Sequence, residues 1–166
     1  MNKNIPKNLI IDVDGVLSTG QFLYSEEGKV LKIFGRHDND GLKILNKYFF
    51  ILFISADKKG FQISKKRIVE DMGFNLEYVS EKTRYEFIKK EYGFNNTIYI
   101  GDGIFDVPIL KKCILGLCPS DARTEAKNNC NFVLNSKAGE GALLDACIFI
   151  MKEYYFEEYS KIFSLV

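Results

Sequence analysis

Apolar residues along this chain gather in short runs at positions 9–13, 49–54, 76–79, 97–100, 114–118 and 132–134. Each run has the length of a strand, and most lack the alternation of a half-exposed one, so they are expected to be covered on both faces. Between the runs, apolar residues recur at helical spacing over 40–48, 61–72, 83–92, 105–112, 121–128 and from 140 onward. Strand and helix therefore alternate, which predicts an α/β, doubly wound (Rossmann-like) fold with a central parallel sheet and helices on both faces. In such folds ligands collect in a crevice beyond the carboxyl ends of the strands.

Two stretches depart from this rhythm. "QFLYSEEGKVLKIF", residues 21–34, reads as two short strands around a turn at 26–28, and predicts a small β-hairpin flap over about 20–34. The carboxyl end, "KEYYFEEYSKIFSLV", predicts an amphipathic helix packed on the body or on a neighbouring molecule. The 166 residues contain no Pro/Gly/Ser-rich linker, repeat or low-complexity block, so one domain spanning 1–166 is expected.

Composition narrows the classes of function. Twenty-three Lys and Arg against 22 Asp and Glu leave a formal net charge of +1, which argues against a protein that coats nucleic acid. Cys113, Cys118, Cys130 and Cys147 lack CxxC spacing and share the chain with a single His, so reduced thiols are expected rather than a zinc site. The amino end is polar, without the apolar core of a signal peptide, and no run approaches the roughly 18 apolar residues of a membrane span. A cytoplasmic protein with no membrane partner is the expectation.

The candidate chemistry sits at the strand ends. "LIIDVDGVLSTG", residues 9–20, carries two aspartates, Asp12 and Asp14, which as i and i+2 of an extended segment point to one side, with Gly15 allowing a sharp turn. Alone, such a pair is also a plain turn former. A second pair follows the strand "TIYI": in "GDGIFD", Asp102 stands at the strand tip and Asp106 on the first turn of the next helix, where each also has an ordinary structural use. Two strands delivering two carboxylates each to one rim repel unless a hard cation lies between them, and magnesium prefers such oxygen donors. The strand "FFILFIS" closes with Ser55, either facing the same crevice or capping the next helix. Lys82 and Arg84 stand at a helix start, an unfavourable place for a cation unless an anion is close.

In this order, Asp12-Val13-Asp14-Gly15-Val16-Leu17, then Ser55, then a basic residue, then Gly101-Asp102-Gly103-Ile104-Phe105-Asp106 resemble the motifs of the haloacid dehalogenase (HAD) superfamily. The short chain, the hairpin and "GRHDNDGLKIL" resemble its small, nearly cap-less phosphatases of the 3-deoxy-manno-octulosonate 8-phosphate phosphatase type. The similarity runs from Leu9 to about Ala146 and includes "AGEGALLDA". It implies a magnesium-dependent phosphomonoesterase for a small phosphorylated sugar, a keto-deoxy sugar acid of the octulosonate 8-phosphate or nonulosonate 9-phosphate type. Asp12 would attack phosphorus, and Asp14 would protonate the leaving alcohol and later take a proton from water. Ser55 would hydrogen-bond the phosphoryl oxygens, and Arg84 or Lys82 would neutralise the shared charge. Asp12, the backbone carbonyl of Asp14, and Asp102 would hold magnesium, with Asp106 orienting the loop.

His37 and Asp38 lie where such phosphatases place polar residues near the substrate, and read equally well as an exposed residue and a helix cap. The resemblance also implies a homotetramer in which hairpins associate and a neighbour covers part of the open rim.

Three positions depart from the pattern. Ser55-Ala56-Asp57 stands where Thr-Gly is common, and the added carboxylate of Asp57 is expected to disfavour an anionic substrate or to select an amine or hydroxyl on it. Arg84 stands where Lys is usual, and Gly103 where a second Asp is common. These departures keep a rival in view, a catalytically weak HAD-like scaffold that binds partners. A receiver-type signalling domain with Asp57 as phospho-acceptor is a further alternative, but leaves "GDGIFD" without a role.

Overall fold

The computed structural model describes residues 4–163. Strand β1 (Asn8–Asp12) leads into a hairpin of β2 (Ser18–Ser25) and β3 (Gly28–Phe34), then α1 (Asp38–Leu45) and β4 (Phe50–Ser55). Helix α2 (Phe61–Lys65), widened by a π-helical turn over Lys66–Asp71, precedes β5 (Asn75–Tyr78), and α3 (Arg84–Glu91) precedes β6 (Thr97–Ile100). After a 3-10 turn at Ile104–Asp106 come α4 (Val107–Leu110), β7 (Leu115–Cys118), α5 (Thr124–Lys127), β8 (Phe132–Val133), α6 (Ala142–Tyr154) and α7 (Phe156–Phe163). The main sheet is parallel throughout, in the order β5-β4-β1-β6-β7-β8, and the hairpin forms a separate antiparallel pair.

The unbroken apolar runs are explained by two cores. Leu9 and Ile11 of β1, with Ile51 and Phe53 of β4, pack with Leu42, Leu143 and Ile150 on one face. Ile10, Leu52, Ile54 and Tyr99 pack with Ile88, Ile109 and Leu110 on the other. A strand covered on both faces has no polar side to show.

The helices are shorter than the periodic stretches suggest. Helix α1 ends at Leu45 because the chain must turn into β4, and the N–H groups of Tyr48 and Phe49 both donate to the Leu45 carbonyl in that turn. The stretch 105–112 divides at Asp106, with Pro108 in the first turn of α4, where its missing N–H costs nothing. The carboxyl-terminal segment breaks at Tyr155, whose ring stacks on Tyr48 at 4.1 Å, so the tail packs on the body; residues 164–166 lie outside the described ones. The cysteines are free, and among the described residues no helix is long and apolar enough to cross a membrane.

Candidate active site

Strands β4 and β5 lie to one side of β1 and β6, β7 and β8 to the other, so the chain reverses its direction of winding beside β1. The carboxyl end of β1 is therefore the topological switch point, where the crevice opens. Asp12 is the last residue of β1, and Asp102 follows the end of β6 by two positions. The two loops touch: Gly15 has φ +96°, and a Cβ there would lie 2.3 Å from Asp102 Oδ2, so no other residue fits without displacing that carboxylate. One carboxylate oxygen from each of Asp12, Asp102 and Asp106 falls within 4.8 Å of the others.

Asp106 is saturated. Its Oδ1 accepts from Arg84 Nη1 at 2.6 Å and from the Tyr99 hydroxyl at 2.5 Å, and its Oδ2 accepts from the N–H groups of Asp102 at 3.1 Å and Gly103 at 2.9 Å. It thus shapes the "GDG" loop and holds Arg84. The guanidinium spans to Asp12 Oδ1 at 3.0 Å through Nη2. Burial works against the Arg84 charge, but Tyr99, Asp12 and Asp106 together hold it on more firmly than usual.

The carboxylates outnumber this cation. Burial pushes Asp12 well above the usual carboxylate range; Arg84 opposes the rise, while Asp106, Asp102 and Asp14 add to it. Burial, then Asp106, pushes Asp102 up to about 7. Such a site costs free energy to hold ionised and gains from any divalent cation. The donors are all oxygen, with Asp12 and Asp102 uncommitted enough to bind and Asp106 spent on its four donors, so the residues present fit a hard divalent ion.

Asp14 points into a different set of contacts. Its Oδ2 accepts from the Ser55 hydroxyl at 3.0 Å and from Lys32 Nζ at 3.0 Å, and its Oδ1 lies 2.7 Å from the same ammonium. Ser55 is fully buried and its oxygen also accepts from the Asp57 N–H at 3.1 Å, so here its hydroxyl holds Asp14 and does not line the cavity. Asp57 is not the spare negative charge expected of it. Lys29 Nζ lies 2.5 Å and Lys32 Nζ 2.9 Å from its Oδ2. Burial alone would raise Asp57, yet hydrogen bonds from Lys29 and Lys32 outweigh it and bring the carboxyl down to about 2.

Three further candidates are not brought to the site. Lys82 is exposed and absent from the cavity wall, which leaves Arg84 as the cation beside Asp12. His37 is exposed and accepts from Arg36 Nε at 3.0 Å. Asp38 is fully buried and caps not its own helix but α6, accepting from the Leu143 N–H at 3.0 Å, so it cannot reach a substrate.

An open cavity of about 480 Å³ stands over the rim, walled by Phe22, Lys29, Lys58, Lys59, Glu81 and Phe105 around the acidic floor. Sequence reasoning missed Tyr99, Lys29 and Lys32. Tyr99 reads as one more apolar strand residue, and the signal for Lys32 is only a lysine inside the otherwise apolar "VLKIF".

This sheet order and these carboxylates are shared with hydrolases of the HAD superfamily: a Legionella pneumophila protein described as a subfamily III A member superimposes with a TM-score of 0.81 at 28% identity, over 96% of this chain and 90% of that one. No protein-family model matches the chain. It is 30% identical over 151 residues to the 3-deoxy-D-manno-octulosonate 8-phosphate phosphatase KdsC of Haemophilus influenzae, covering 88% of this chain and 83% of that protein. The corresponding Escherichia coli K12 enzyme is 27% identical over 84% of this chain and 76% of its own length. The cobalt-bound structure of the Haemophilus influenzae phosphatase superimposes with a TM-score of 0.75 at 28% identity, over 90% of this chain and 89% of that one. The chain belongs to the 3-deoxy-D-manno-octulosonate 8-phosphate phosphatase family, and is a phosphatase.

Proposed function

We propose that this protein is a magnesium-dependent phosphomonoesterase acting on a small sugar phosphate, a keto-deoxy sugar acid of the octulosonate 8-phosphate type. The observation that carries the reading is the convergence of Asp12 and Asp102 within reach of one ion, with Arg84 bound to Asp12 from the protein side. The names of the curated relatives support the substrate class, and the cobalt-bound relative supports a divalent ion. Asp12, Asp102 and the backbone carbonyl of Asp14 would hold magnesium, which supplies charge neutralisation for the phosphoryl oxygens.

Asp12 is the nucleophile: its free carboxylate oxygen forms a bond to phosphorus as the bond to the ester oxygen breaks, giving an aspartyl phosphate. Arg84 withdraws charge from the other oxygen of Asp12 and holds the attacking one in place. Asp14 gives its proton to the departing alcohol, then takes one from the water that releases phosphate and regenerates Asp12. Ser55 fixes the plane of Asp14. The lysines around the cavity suit a doubly anionic substrate carrying a carboxylate as well as a phosphate.

The rim is open, and the hairpin turns Leu23, Leu31 and Ile33 to solvent, so assembly into a homotetramer through hairpins is part of the proposal. The test is phosphate release with magnesium from p-nitrophenyl phosphate and from a panel of phosphorylated sugar acids. Turnover that favours a keto-deoxy acid phosphate and disappears in Asp12→Asn supports the reading. An inert wild-type protein overturns it in favour of a binding scaffold.

A further inference from the structure

Lys32 is the one buried residue of β3, and the rest of that strand is exposed or half-exposed. Its side chain has no exposure, and a buried ammonium is costly unless every proton finds an acceptor. Here the pairing is complete. The three protons of Nζ face Asp14 at 2.7 Å, Asp57 at 2.9 Å and the Ser64 hydroxyl at 2.9 Å.

The hairpin is built to deliver this group. Lys29 opposes Tyr24 and Leu31 opposes Leu23, leaving Val30 as an extra residue in β3. Such a bulge resets the alternation, so Lys29 and Lys32, three apart, turn to the same face and meet the same Asp57. The body is built to receive it. A Cβ on Gly60 would lie 2.6 Å from Lys32 Cε and 2.2 Å from Asp57 Oδ2, so the glycine leaves the space the lysine enters.

Asp14 is held between Ser55 on the sheet and Lys32 on the hairpin. Building on the acid–base reading of Asp14, we propose that Lys32 is a positioning residue for Asp14. Docking of the hairpin, through Lys32, turns the carboxyl group toward the leaving oxygen; the proton that Asp14 gives up there is one it has first taken from solvent, and Lys32 sets the direction in which it is given. Lys32 does not touch the reacting atoms.

The test is rapid-mixing measurement of the first step, release of the alcohol, for p-nitrophenyl phosphate and for phenyl phosphate with magnesium present. p-Nitrophenolate leaves with little help from an acid, whereas phenolate needs the proton. Lys32→Met is expected to slow release from phenyl phosphate at least about 10-fold more than from p-nitrophenyl phosphate, a part of what general acid catalysis contributes. Ser64→Ala removes one anchor of Lys32 without touching Asp14. It should shift the same ratio about 2- to 5-fold, and should add nothing in a Lys32→Met background.

Equal slowing of both substrates by Lys32→Met, or a rise in KM alone, overturns the proposal. Asp14→Asn separates the two levels: if it discriminates between leaving groups and Lys32→Met does not, only the role of Lys32 fails. If Asp14→Asn shows no discrimination, the reading of Asp14 fails and the proposal with it. Should Lys32→Met not fold, Ser64→Ala decides, because an unchanged ratio there is also a refutation.

Discussion

The sheet rim and the hairpin dock both bury charge, and they do so in opposite ways. At the rim, three carboxylates (Asp12, Asp102, Asp106) share one guanidinium, Arg84, and burial with mutual repulsion drives Asp12 and Asp102 upward. At the dock, Asp14 and Asp57 face Lys29 and Lys32, and Asp57 is driven down to about 2 although burial opposes its charge. An unbalanced cluster is a site that gains by binding a cation. A balanced one is a latch, complete without a ligand.

The largest expected effect breaks the rim. Asp12→Asn should lower phosphate release by roughly 10³-fold or more, since the nucleophile is gone. It should also leave the thermal midpoint equal or higher, because one charge is removed from a crowded, buried set. Calorimetry alongside the assay checks both halves, and a sharp fall in the midpoint would contradict the view of the rim as unbalanced.

Arg84→Met attacks the same cluster from the other side. The buried carboxylates of Asp12 and Asp106 lose their cation, and breaking such a pair costs about 3–5 kcal/mol. Urea denaturation should show the loss, and magnesium should restore part of it by replacing the missing positive charge.

The folded-state pKa of Asp102, about 7, lies above the 3.8 of an unperturbed aspartate. Between those values the metal-free folded protein holds a proton that the unfolded chain has lost, so stability falls as pH rises from about 4 to about 7. The fall is at most about 4 kcal/mol. Magnesium competes with that proton, so the rise in thermal midpoint on adding it should be larger at pH 8 than at pH 5.5. An equal rise at both values would mean that the ion does not bind through Asp102.

The comparison also explains what could be read in advance. Asp12 and Asp102 were legible because the backbone alone brings them together, where strand ends meet at a switch point; Asp14 shares their cavity, but it lies beyond the end of β1 and its carboxylate turns to Ser55 and Lys32. Arg84 was legible only as one of two neighbours, since which of Lys82 and Arg84 turns inward depends on where α3 begins. Lys32 was hidden for a different reason. In a regular strand a lysine beside apolar residues reads as the solvent-facing position, and the bulge at Val30 that reverses this leaves no mark in the residue types. Asp38 depended on a partner 105 positions away, the Leu143 N–H, which no local pattern announces. Asp57 looks like a free charge in the sequence because its two lysines, Lys29 and Lys32, lie on a separate hairpin whose docking no local pattern shows.

The smallest expected effect on the fold lies on the outer face of the hairpin. Leu23 and Leu31 oppose one another across β2 and β3 and are 51% and 54% exposed, whereas Lys32 beside them is buried. One face of the hairpin is thus committed to the body and the other is open and apolar. Leu31→Glu should leave the stability of the subunit within about 0.5 kcal/mol, as for other surface substitutions, because it touches neither the latch nor the core. If the proposed tetramer forms through this face, the same substitution should shift sedimentation toward smaller species and raise KM, with kcat unchanged because Lys32 still holds Asp14. A wild-type protein that sediments as a monomer at micromolar concentration would remove the assembly and leave the latch intact. A variant that stays assembled would place the interface elsewhere.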